Sequence, residues 1–188
     1  MKMYVKHMLS FRCREKIERE LEKWGIIAEV NQGMIDFQNE LSFGEAYMLK
    51  EGILDLGFEI ADDAESRLLD RISETISGLV DHYPEIPAEE YPDYLKEDLG
   101  FVELDSRDLF SQVHGVGVRR FAMVQQVERI KEMILYEDRN PKEVAEIFHF
   151  KNGTQLTHIF QKVTGLKPSF YKQIRKERKE VRELNGFV

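Results

Sequence analysis

Five histidines, one cysteine and 35 carboxylates are the groups in this 188-residue chain with reactive chemistry to offer. His7, His82, His114, His149 and His158 show no His-Glu-x-x-His spacing, which would set two imidazoles on one helix face around a metal. His149 and His158 straddle a turn. Cys13 is the only cysteine, so no intrachain disulfide can form, and no base is assignable beside it to make it a nucleophile. Gly115-Val-Gly117 precedes a helix but lacks the rest of a phosphate-binding fingerprint. Asn152-Gly-Thr154 matches a glycosylation acceptor, a chance match in a cytoplasmic chain. The carboxylates fall mostly on helix surfaces, where solvation accounts for them. The expectation is a chain that is not an enzyme, carries no cofactor and acts by binding.

Charge distribution indicates what it binds. The net charge of −8 argues against nucleic acid, but the acid is not evenly spread. Residues 1–88 hold 10 Lys/Arg and 18 Asp/Glu, whereas 151–182 hold 9 Lys/Arg and 2 Asp/Glu. That asymmetry fits an acidic module joined to a phosphate-seeking one, or a solvated basic helix at the end of the chain. No apolar run approaches the roughly 18 residues that span a membrane. Met1 to Ser10 lacks the apolar core and cleavage site of a secretion signal. With the single cysteine, these features place the expected location in the cytoplasm.

The elements that must position these groups can be read from periodicity. Three of the five prolines, Pro84, Pro87 and Pro92, mark a linker. The expected division is a domain over 1–62, a connecting helix and linker over 63–90, and a helical domain over 91–182. In the first domain, Tyr4 to Leu9 suits a strand. Cys13, Ile17, Leu21 and Trp24 form one helix face, closed by Gly25. Ile26 to Val30 and Met34 to Phe37 alternate as strands about a Gln32-Gly33 turn. Ser42-Phe-Gly-Glu45 is a capping box opening a helix to Leu56, and Phe58 to Ile60 is a last strand. The order is β-α-β-β-α-β, the ferredoxin-like arrangement. A helix with Leu68, Leu69, Ile72, Ile76, Leu79 and Val80 on one stripe follows. It packs on the sheet or joins two subunits through residues 64–83.

Beyond the linker every pattern is helical. A short helix around Tyr94 to Leu99 precedes one carrying Leu109, Phe110 and Val113. Phe121, Val124, Val127, Ile130 and Ile134 run through a long helix from about Arg119 to Tyr136. Asn140-Pro-Lys-Glu143 opens the next helix, with Asn as cap and Pro at the first helical position. Leu156, Ile159, Phe160 and Val163 face inward on another, ended by Gly165, and Pro168 to Arg182 make a last one. Two short helices about a tight turn, occurring twice around one long helix, suggest tandem helix-turn-helix units or a small helical bundle.

Glu128-Arg-Ile-Lys-Glu-Met-Ile-Leu-Tyr136, Glu143-Val-Ala145 and Phe160-Gln-Lys-Val-Thr-Gly-Leu-Lys-Pro-Ser169 decide between these. They resemble the linker helix, second helix-turn-helix and closing segment of AraC/XylS-type transcription regulators. Leu109-Phe110 and Val113-His-Gly115 resemble the matching part of the first unit, and the similarity covers residues 91 to about 175. The resemblance implies sequence-specific binding of double-stranded DNA, with a recognition helix of each unit in the major groove. In the second unit that helix would be Asn152 to Lys162. Asn152, Thr154, Gln155, Thr157 and His158 would then read bases, with Asn and Gln able to bind adenine bidentately. Lys151, Lys162, Lys167 and Lys172, with Arg107 from the first unit, would hold phosphates. His149 stands where the family has a small-residue turn, and His158 where it often has Arg. The first recognition helix, about Glu103 to Val113, carries Glu103, Asp105 and Asp108, with Arg107 its only base, and Ser106 replaces a usual core Leu. The second unit is therefore expected to supply most of the DNA contact.

The N-terminal half resembles a heavy-metal-associated ferredoxin-like domain. Such domains grip a soft metal with Met-x-Cys-x-x-Cys, and here the stretch reads Met8-Leu-Ser10-Phe-Arg-Cys13. One thiolate with a hydroxyl is a poor site even with His7 or Met8 assisting, so no resident metal is expected, Cys13 being a weak candidate ligand. Three functions stay in view: a DNA-binding regulator, an adaptor acting through protein contacts or a homodimer of the N-terminal half, and a metal-responsive protein.

Overall fold

A computed structural model of the protein describes residues 1–88, 90–99, 104–137 and 139–184, with the side chains at 98–99, 104–107 and 178–184 outside the described residues. The chain is mixed α+β and mostly helical, with a four-stranded antiparallel sheet. Packing sorts it into two compact units. A sheet unit holds Met1–Ser73 and Lys96–Val118, and a helical unit holds Glu74–Leu95 and Arg119–Val188.

The sheet unit begins β1 (Lys2–Lys6), α1 (Phe11–Lys23), β2 (Ala28–Asn31), β3 (Met34–Phe37), α2 (Phe43–Asp55), β4 (Glu59–Ile60). Strand order across the sheet is β2-β3-β1-β4. The register sets Met3 opposite Ile35, Val30 opposite Ile35 and Val5 opposite Ile60. Ser10 caps α1 by accepting from the Cys13 N–H. Ser42 and Glu45 form the reciprocal capping box of α2. Successive strand residues point to opposite faces, yet Met3, Tyr4, Val5 and Lys6 are all buried, so β1 is covered on both sides. Met3 and Val5 join Ile17 and Leu21 of α1 and Leu49 and Ile53 of α2 in one apolar core.

The other face of β1 meets α3 (Asp63–His82) and α5 (Leu104–His114). The Tyr4 hydroxyl donates to Asp70 at 2.7 Å, and its ring meets the His114 ring edge-on at 6.3 Å. Lys6 Nζ sits 2.6 Å from Glu59 and 2.8 Å from Glu65. Burial alone would lower the Lys6 pKa, but the two carboxylates outweigh it and hold it above the ordinary lysine value. Leu109, Phe110 and Val113 of α5 are buried. Carbonyls at a helix C-terminus need outside partners. In α5, His7 N–H donates to Gln112 O at 2.7 Å, and Gln32 Nε2 donates to His114 O at 3.3 Å. His114 packs on Phe110 at 4.3 Å between centroids, and burial pushes its pKa down to about 4, so the imidazole is neutral at ordinary pH.

The two units divide the chain differently from the proline linker. Residues 96–118 group with the sheet because α5 is seated on β1. Residues 74–95 group with the helices because Gln126 holds the proline-containing segment. Gln126 is itself buried, and its Nε2 donates to Ile86 O at 2.8 Å and Tyr91 Oη at 3.2 Å. The stripe on α3 is spent inside the chain: Leu69, Ile72, Ile76, Leu79 and Val80 are buried. Of the two expected roles for this helix, packing within the chain or joining subunits through residues 64–83, burial of the stripe fits the first. Among the described residues no helix is long and apolar enough to cross a membrane.

The rest of the helical unit comprises α6 (Val118–Leu135), α7 (Pro141–Ile147), α8 (Gly153–Thr164) and α9 (Pro168–Leu184); α4 (Tyr91–Leu99) spans the division between the units. Val127, Ile130, Met133 and Ile134 of α6 form one core with Val144, Ala145, Phe148, Leu156 and Phe160.

Candidate nucleic-acid interface

The candidate site is built on α7, α8 and the turn between them. Asn140 caps α7 by accepting from Lys142 and Glu143 N–H, Glu143 returns a bond to the cap, and Pro141 opens the helix. Phe148 closes α7 and is buried, with its ring stacked on Phe150 at 5.9 Å. Between them His149 adopts φ +48, left-handed backbone that favours glycine. The Phe150 N–H reaches back to Ala145 O at 2.9 Å, so the turn is fixed from both sides. Replacing His149 with glycine is expected to stabilise the protein by about 0.5–1 kcal/mol in urea unfolding. A loss of stability would show instead that the imidazole itself supports the turn.

Asn152 caps α8, its Oδ1 accepting from the Gln155 N–H at 2.9 Å. Gln155 Oε1 accepts from the Lys151 N–H at 2.8 Å, so the two carboxamides tie the start of α8 to the turn before it. Leu156 and Phe160 turn into the core, Thr154 and His158 are exposed on the opposite face of α8, Gln155 is exposed beside them, and Asn152 is exposed at the cap. Thr157 is half-buried, and its hydroxyl donates to Gly153 O at 2.8 Å. The five expected base-reading residues are thus brought together on one short helix. Gly165 ends it in the left-handed conformation, and Tyr171 of α9 packs edge-on against Phe160 at 5.2 Å. Arg120 of α6 donates to Lys162 O at 3.4 Å, tying down the far end of α8.

Lys151, Lys162, Lys167 and Lys172 are all exposed, and among the described residues none of them pairs with a carboxylate. Cations left unneutralised beside an exposed polar row can collect phosphate oxygens. Arg107 lies in α5 with its side chain outside the described residues; Glu103 is outside them altogether. Asp108 is described and exposed.

The metal reading finds little to build on. Met8 is buried in the sheet-unit core, which spends its sulfur on packing. Cys13 is half-buried against the same core, 3.1 Å from the Ser10 hydroxyl, whose hydrogen bond to sulfur lowers the thiol pKa. Among the described residues no three His, Cys, Asp or Glu side chains gather as a metal site.

Two features escaped the sequence reading. Gln126 sits in a helix whose neighbours are apolar, and a lone Gln carries no signal of what it bonds. The α2 helix leaves Phe43, Tyr47, Met48 and Leu54 exposed, Phe43 by 89%. Their spacing on a capped helix would equally suit a buried stripe. Comparison with family models, with curated proteins and with solved structures gave no match.

Proposed function

We propose that this protein is a DNA-binding transcription regulator of the AraC/XylS type, in which α7 and α8 form the second helix-turn-helix and α8 is the recognition helix. On this reading α4 and α5 are the first unit, and β1 through β4 with α1 and α2 are a ferredoxin-like module. The observation that carries it is the exposed row on α8, flanked by four unneutralised lysines and backed by a continuous core. An α-helix fits the major groove, where side chains of these types can reach base edges. The bonding of the α5 C-terminal end into the sheet unit supports a division of labour in which the second unit supplies most of the contact. The lone cysteine supports a cytoplasmic location, where thiols are kept reduced.

Fluorescence anisotropy with random duplex DNA across a salt series tests the reading. Binding is expected at about 50 mM salt and should weaken steeply as salt rises, because each neutralised phosphate releases counterions. Lys162→Glu should weaken binding roughly tenfold at low salt and lower the log–log salt slope by about 1. No binding at low salt would overturn the reading.

A second reading, an adaptor acting through protein contacts, is favoured by the exposed apolar side chains of α2 in the acidic half of the chain. Clustered exposed apolar groups mark interaction surfaces. Under that reading, Phe43→Glu changes function and Lys162→Glu does not.

A further inference from the structure

We infer that Asn152 and Gln155 meet DNA through their amide N–H2 groups, so that the start of α8 selects guanine over adenine. The inference rests on the DNA-binding reading above and concerns what that surface recognises.

A carboxamide offers an oxygen with two lone pairs and an N–H2 group with two donors. To bind adenine bidentately it must accept from N6 and donate to N7. Both oxygens here are already engaged by the chain's own backbone: Asn152 Oδ1 takes the Gln155 N–H, and Gln155 Oε1 takes the Lys151 N–H. Reorienting either carboxamide to set its oxygen and nitrogen together on one base edge would uncap α8 or release the turn before it. That loss offsets much of what a bidentate contact contributes. Each oxygen keeps a second lone pair, but its aim is set by the backbone bond it already makes, so the group each exposed side chain presents freely is its amide N–H2. Guanine offers two acceptors side by side, N7 and O6. Adenine sets a donor, N6–H2, beside its N7, and a second donor facing it gains nothing. Residue type alone suggested the opposite preference, since Asn and Gln are the usual partners of adenine; the internal hydrogen bonds reverse it.

The test begins by selecting binding sites for the full chain from a randomised duplex pool. Affinities are then measured for the selected duplex and for versions with each guanine replaced by 7-deazaguanine or by adenine. Removing the contacted N7 is expected to weaken wild-type binding about tenfold. Asn152→Asp and Gln155→Glu keep an oxygen for the same backbone N–H but delete the donor. Aspartate caps as well as asparagine, and acid at a helix N-terminus is favourable, so melting temperature should hold or rise. The added charge weakens binding to every duplex, so the readout is the affinity ratio between guanine and substituted sites. That ratio should collapse toward one in the double variant.

Selection of adenine, with affinity lost when its N6 amino group is removed, would overturn the inference. So would a selected site indifferent to N7 and O6, with random-duplex binding intact. Absence of salt-dependent binding to any duplex would instead remove the DNA-binding reading and this inference with it.

Discussion

Gly33→Ala is expected to destabilise the sheet unit by about 3–5 kcal/mol, combining left-handed backbone strain with overpacking. Gly33 turns the chain between β2 and β3 at φ +74. A Cβ built there would lie 2.1 Å from Val113 O and 2.8 Å from Val113 C, both backbone atoms of α5. Neither can swing aside as a side-chain tip would. Gly25 supplies the control. It has a similar φ, +67, but nothing lies within 4 Å of its added Cβ. Gly25→Ala should therefore cost only about 1 kcal/mol, from the backbone alone. Trp24, the single tryptophan, packs against α2 at Gly52 and reports on this unit, so urea unfolding followed by its fluorescence measures both variants. Equal losses would mean that α5 is not seated on the β2–β3 turn, and would remove the support that this seating gives to the proposed division of labour.

That seating marks where the sequence ceased to be informative. Leu109, Phe110 and Val113 announce a helix with one buried face, but helical spacing cannot name the surface that buries it. The deciding contacts are backbone groups, His7 N–H to Gln112 O and Gly33 against Val113, and every residue type carries those atoms. Local signals survived better. The caps at Ser42 and Asn140 were legible because a side-chain oxygen must sit at a fixed offset from the N–H it accepts. The apolar stripe on α3 was legible as a face to be buried, but periodicity left open whether the chain itself or a second subunit would cover it; it is packed within the chain. In the candidate site, residue types gave the polar row on α8 and the lysines around it. They did not give the bonds that engage Asn152 Oδ1 and Gln155 Oε1, because those depend on where α8 begins to within one residue.

The second large effect is expected in the helical unit, where Phe160→Ala should cost about 3–5 kcal/mol. Phe160 is fully buried, packed among residues from α6, α7 and α8, with Tyr171 of α9 edge-on against it. Truncation removes the transfer free energy of a ring and leaves a cavity that four helices would have to close. Short helices draw most of their stability from such packing, and α7 has only seven residues. Loss of Phe160 should therefore loosen the turn at His149 and the cap at Asn152 together. It should lower the helical circular dichroism midpoint in urea and, under the proposed function, abolish DNA binding. Phe160→Leu, which keeps most of the apolar volume, should lose much less. Lys162, two residues on, is exposed and touches none of this core through its ammonium, so Lys162→Glu should leave the same midpoint within about 0.5 kcal/mol while weakening DNA binding. The contrast separates scaffold from contact on a single helix. If Phe160→Ala left both midpoint and binding near wild type, the α6–α9 core would not be what positions α8, and the interface built on it would fall.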